Sequence, residues 1–141
     1  VVFVKRANER REHVLMKAFL WALYLPHYPD LAVEVDVNSR YRPDVSAVGP
    51  YGTFRFWGEA GHVSPSKIHY LIRHYRSTHF ALAKWETALA PFIEIVRDAR
   101  ADVEGGAPFD VLRFASDSAE RFIHERGHIT VNHGDIDWMR L

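Results

Sequence analysis

The sequence has no cysteine in its 141 residues. That absence excludes a disulfide scaffold and a cysteine-ligated zinc site, and it fits a reducing compartment. No run of about 18 apolar residues is present, so neither a transmembrane helix nor a membrane partner is expected. No signal-peptide pattern opens the chain, which starts Val1-Val2 without a methionine, and a cytoplasmic location is expected. There is no surplus of charge, because 18 Lys+Arg balance 18 Asp+Glu. A purely electrostatic nucleic-acid binder would show more. A Gly-rich phosphate loop and a Gly-x-Ser-x-Gly elbow are both missing, so a nucleotide-cofactor enzyme, a serine hydrolase or another small-molecule enzyme on an unrelated α/β fold has no motif in its favour. Repeats, low-complexity tracts and long linkers are also absent, and residues 1–141 read as one domain able to bury its own core.

Hydrophobic residues make up 48% of the chain and charged residues 26%, ordinary for a globular domain. The charge is unevenly placed. Residues 1–84 hold 12 Lys+Arg and 7 Asp+Glu, whereas residues 85–141 hold 6 and 11. Apolar spacing predicts a strand over 1–4, a helix over 8–24 with Asn8 as its N-cap, and strands over 31–37, 42–48 and 53–59. The last two flank Gly49-Pro50-Tyr51-Gly52, a strong turn signal. Ser64 followed by Pro65 predicts a capped helix to about Arg76. Strands over 79–85, 109–114 and 129–132 alternate with helices over 91–102 and 117–125, and the tail from Ile136 is ambiguous. The order implies an α/β domain in which helices flank a mixed central β-sheet.

The hairpin places chemistry. If Tyr51 and Gly52 are its central residues, paired positions sum to 103 and Asp44 lies across from Glu59. A turn centred on Pro50-Tyr51 makes the two diagonal neighbours instead. Both registers set the carboxylates on one face together with Ser46 and Arg55, leaving Val45, Ala47, Phe54 and Phe56 on the other. Close carboxylates repel, and a hard divalent cation such as Mg²⁺ or Mn²⁺ removes that cost. The bland alternative is a pair of solvated strand-end acids. Glu12, one turn before Leu15, Met16 and Phe19, stands where it could approach such a metal, although a first-turn acid also suits the helix dipole. Lys67 lies in the first turn of the Pro65 helix, and its side chain points back toward the strand that ends at Glu59.

Pro43-Asp44, the hairpin and Trp57-Gly58-Glu59-Ala60-Gly61 together resemble the core of the PD-(D/E)XK nuclease superfamily, and more narrowly its YaeQ-like branch. Glu9 to Ala18 resembles that family's acid-bearing first helix, and Pro65-x-Lys67-Ile68 the basic start of its next helix; the similarity covers roughly residues 8–85. The resemblance implies a restriction-endonuclease-like core, metal-assisted phosphodiester hydrolysis, a nucleic-acid partner and a chain that could work as a homodimer. It makes Asp44 and Glu59 the metal-binding acids, with the carbonyl of Ala60 beside them, and Glu12 the acid of the first helix. The motif lysine would fall at Gly61, so the amine is expected from Lys67. Arg42, Arg55, Arg73 and Arg76 are candidates for phosphate contacts.

The missing lysine and the neutral charge favour a rival reading, a catalytically degenerate module that binds nucleic acid or a protein partner. Nine histidines also raise a zinc hydrolase. His69 and His74 are five apart, however, which is not the spacing that sets two ligands on one helix face, and His124, His128 and His133 are only loosely spaced.

Overall fold

A computed structural model of the chain describes residues 2–35 and 40–141. Its sheet has six strands in sequential order: β1 (Ala32–Val33), β2 (Val45–Val48), β3 (Phe54–Ala60), β4 (His79–Trp85), β5 (Phe109–Phe114) and β6 (Asp137–Arg140). Strands β3, β4 and β5 run parallel, and every other neighbouring pair is antiparallel. The two parallel crossovers carry helices α2 (Pro65–His74) and α3 (Ala90–Arg100). Both pack on one face of the sheet, over Phe54, Trp57, Phe80, Leu82, Phe109 and Val111. Helix α1 (Arg11–Tyr24) covers the opposite face with the short α4 (Ser118–Phe122), over Val45, Ala47, Phe56, Ala81, Ala83, Leu112 and Phe114. The expected mixed sheet flanked by helices is therefore present. With both faces covered, β4 and β5 are buried along nearly their whole length, as parallel strands with helices on both sides are. Trp57, Phe56 and Phe19 are fully buried, and burying each such side chain contributes roughly 1.5–3 kcal/mol.

Several local expectations are corrected. Residues 2–4 form no strand; Phe3 instead packs edge-on against Trp21, with ring centroids 5.9 Å apart. Helix α1 begins at Arg11, not Asn8, and its N-cap Arg10 makes no side-chain capping bond. Glu9 closes a turn just before it, donating its N–H to the Arg6 carbonyl at 3.0 Å and accepting the Arg6 N–H at 3.1 Å. The strand expected over 31–37 is two residues long, and its end at Asp36 and Val37 lies outside the described residues. Helix α4 stops at Phe122, and the strand expected over 129–132 reduces to a single bridge between Ile129 and Ile123. The ambiguous tail becomes the edge strand β6.

The hairpin contains a bulge that sequence alternation does not reveal. Near the turn, Val48 pairs with Phe54, whereas beyond it Ala47 pairs with Phe56, so Arg55 is an extra residue. The pleat phase flips there. Phe54 joins Trp57 on the α2 face instead of sharing a face with Phe56, and Arg55 leaves the face of the carboxylates. Its guanidinium pairs with Asp30 and lies 5.9 Å from the Tyr28 ring centroid. Past the bulge the pairs sum to 103, as in Val45↔Gly58 and Ser46↔Trp57.

Candidate functional site

The paired register ends at Val45↔Gly58, and Asp44, one residue before β2, stands close enough to Glu59 for their charges to interact, at the carboxyl end of β3, where open α/β sheets bind their ligands. Asp44 is held from both sides. Its N–H donates to the Gly58 carbonyl at 3.0 Å, and its carbonyl accepts the Glu34 N–H at 2.9 Å. Its Oδ2 accepts the Ala60 N–H at 2.8 Å, and its Oδ1 lies 3.5 Å from His13 Nε2 on α1. Glu59 is buried. Its Oε1 accepts from Trp57 Nε1 at 2.8 Å and stands 2.9 Å from Lys67 Nζ. Burial and the neighbouring Asp44 charge push the Glu59 carboxyl above its ordinary range, against the opposing pull of Lys67 and Trp57. A buried acid made uncomfortable by a second acid is the electrostatic pattern of a functional site.

Lys67 reaches Glu59 because of how α2 starts. The Ser64 side chain accepts the Lys67 N–H at 3.1 Å, and Pro65 opens the helix with its φ already set. A first-turn side chain then leans back over the strand end. Gly61 explains why no lysine stands two residues after Glu59. Its φ is +85°, in the left-handed region where a side chain costs roughly 1–2 kcal/mol. Gly58 is constrained differently, since a Cβ there would meet Phe56 and Val45 side-chain atoms at 3.2 and 3.4 Å under Leu20 of α1.

Two clefts open beside Asp44 and Ala60, and the buried Glu59 lines neither of them. A small one, about 280 Å³, is lined by Asp44, Arg42, Arg6 and Glu34. A larger one, about 710 Å³, runs between the start of α1 and the ends of β3 and β4, past Glu12, His13, Ala60, Gly61 and Lys84. Glu12 thus lines the cleft next to Ala60, but no bond joins it to Asp44, Glu59 or Lys67 among the described residues. No group of three or more His, Asp or Glu side chains stands together as a ready metal site among them either. Of the four arginines, Arg42 borders Asp44. Arg55 is on the other face, and Arg73 lies at the far end of α2, paired with Asp102 at 3.5 Å. Arg76 lies beyond α2 and borders the pocket near Val103 and Phe109.

No family model and no curated protein matches the sequence. Solved structures do. The YaeQ protein from Xanthomonas axonopodis pv. citri superposes with a TM-score of 0.62 at 14% identity, covering 86% of this chain and 65% of that one. The fold is YaeQ-like. The YaeQ protein from Pseudomonas syringae agrees, with a TM-score of 0.60 at 12% identity over 90% of this chain and 66% of that one. The chain spans just under two thirds of the length of either structure.

In this YaeQ-like frame, several side chains that motif reading passed over stand beside the carboxylates. Lys17 is buried within α1 and bonds Glu9 at 2.5 Å and Glu34 at 2.6 Å. Those bonds outweigh burial and raise its pKa. Glu9 shares the network with His13 Nδ1 at 2.6 Å. Burial alone would raise the Glu9 carboxyl, but Lys17, the Arg6 N–H and His13 hold it down at about 2. His13 is raised, chiefly by Asp44. Lys84 donates to the Gly61 carbonyl at 2.6 Å and sits over the Phe92 ring, and burial lowers its pKa. Both lysines carried a signal. Lys17 interrupts an apolar run, and Lys84 shares the strand parity of Phe80 and Leu82, so each had to be buried.

Proposed function

We propose that this protein is a PD-(D/E)XK-type nuclease, a divalent-cation-dependent phosphodiesterase acting on nucleic acid. The observation that carries the reading is the Asp44–Glu59 pair at the end of β3 with the Lys67 amine 2.9 Å from Glu59. The donor set suits the cation. Both acids offer hard oxygens, and the two contacts of Glu59 fall on Oε1, which leaves Oε2 for a ligand. Mg²⁺ or Mn²⁺ bound there would polarise a phosphate and lower the pKa of an attacking water. Asp44 and Glu59 would hold the ion, with the Ala60 carbonyl as a further oxygen. Lys67 would orient the water or offset charge growing on the phosphate. Arg42, beside Asp44, is the arginine best placed to steady the substrate backbone. Glu12 would enter only by a rotamer change along the cleft.

One observation favours a second reading, a module that binds nucleic acid or a protein partner without cutting. Lys67 already neutralises Glu59, and no third acid is assembled among the described residues. Calorimetric titration of Mg²⁺ and Mn²⁺ into wild type, Asp44→Ala and Glu59→Ala separates the two. The nuclease reading expects binding in wild type that is lost in both variants, with cleavage of labelled nucleic acid that Lys67→Ala abolishes. Absence of cation binding in the folded wild type would leave the binding module.

A further inference from the structure

Tyr41 and Tyr70 pack against the core on the α2 side of the sheet while remaining partly exposed. Their rings meet edge-to-face at 5.1 Å, and Tyr70 stacks on His74 with centroids 3.7 Å apart and planes 21° from parallel. Arg40, exposed, places its guanidinium 5.3 Å from the Tyr41 centroid and 5.0 Å from that of Tyr70. The series continues into the candidate site, because Lys67 Nζ lies 5.1 Å from the Tyr41 centroid and 2.9 Å from Glu59. Neither Arg40 nor His74 has a carboxylate partner among the described residues.

Core packing accounts for the buried part of the tyrosines. It does not require planar groups and cations to alternate along the outside, ending at an acid pair. Aromatic rings flanked by the Arg40 guanidinium, which has no carboxylate partner among the described residues, suit a strand whose bases are unstacked, since every base offers a π-face and every linkage a negative charge. A duplex hides its base faces and would meet only the edges of such a surface. From this we infer that the Lys67–Tyr41–Tyr70–His74 ledge, with Arg40, binds unpaired nucleotides next to the carboxylate pair, so that the substrate is single-stranded nucleic acid. The inference rests on the nuclease-type reading of the acid pair for its orientation but not for its test.

The test is fluorescence anisotropy in cation-free buffer, with labelled oligonucleotides of about 20 nucleotides as single-stranded DNA, single-stranded RNA and blunt duplex. Wild type is expected to bind one or both single strands more tightly than duplex, and whichever binds names the sugar. Loss of one base stack predicts that Tyr70→Ala weakens single-strand binding about 5- to 150-fold, while Tyr70→Phe, which keeps the ring, stays close to wild type. Tyr41→Ala serves if Tyr70→Ala fails to fold, and Tyr51→Ala, at the 92% exposed hairpin tip, should change nothing. Equal binding of duplex, no binding at all, or folded alanine variants that bind like wild type would overturn the ledge. Single-strand binding without cation binding would keep the ledge and remove the nuclease; cation binding without strand selectivity would do the reverse.

Discussion

Glu59→Gln should cost the metal-free protein little or nothing in stability, and it should abolish stabilisation by Mg²⁺. The glutamine keeps an oxygen that accepts from Trp57 and Lys67, so shape and most hydrogen bonding survive. What disappears is the charge. Its attraction to Lys67 at 2.9 Å is worth about 6 kcal/mol before any desolvation, at an effective dielectric near 20. Against this stand the cost of burying the ion, several kcal/mol, and the repulsion from Asp44. The opposition wins, because the carboxyl is held above its ordinary range with burial as the largest cause. Removing the charge at pH 7 is therefore expected to change stability by about 0 to +2 kcal/mol in favour of the variant. The sign with pH follows. A raised acid takes up its proton more readily folded than unfolded, so its contribution is fullest below the unfolded value and is lost as pH rises through the folded value. Glu59→Gln should remove that part of the pH profile. Added Mg²⁺ at about 100 times its Kd should raise the wild-type unfolding free energy by about 2.7 kcal/mol. For a chain of this size that is a Tm rise of roughly 8–13 °C, and it should be absent in the variant. Thermal melts with and without the cation, from pH 4 to 8, read both effects. A loss above about 2 kcal/mol in cation-free buffer would refute the reasoning and make Glu59 a structural partner of Lys67.

Asp110 supplies a contrasting case. It is fully buried and accepts from Tyr24 at 2.7 Å, His79 at 2.7 Å and Arg140 at 2.8 and 3.0 Å. Asp110→Ala should cost about 3–5 kcal/mol in a denaturant melt and leave cation titration unchanged, since the residue opens β5 at the end of the sheet away from Glu59. Acid titration should expose Glu9. Its carboxyl, held at about 2 against an ordinary 4.5, stabilises the fold above the ordinary value and loses that contribution as pH falls toward 2, and Glu9→Gln should flatten the profile in that window. Gly61→Ala should lose roughly 1–2 kcal/mol from its positive φ alone, because the new Cβ meets His13 at an ordinary 3.7 Å; a cost below about 0.3 kcal/mol would mean that the loop relaxes.

The sequence by itself determined the class of fold, the strands His79–Trp85 and Phe109–Phe114, the Ser64–Pro65 start of α2 and the approach of Asp44 to Glu59. Those features rest on short-range rules: alternation, capping, turn chemistry and the lean of a first-turn side chain. Only the tertiary structure decided the rest. The Arg55 bulge reversed the pleat and carried an expected phosphate contact to the opposite face, and a bulge depends on pairing with β2 rather than on the letters of β3. The Lys17–Glu9–His13–Asp44 chain joins the start of α1 to β2, and the Tyr41–Tyr70 ledge joins the segment before β2 to α2. Such contacts form between segments distant along the chain, and they exist only once burial has packed the helices onto both faces of the sheet.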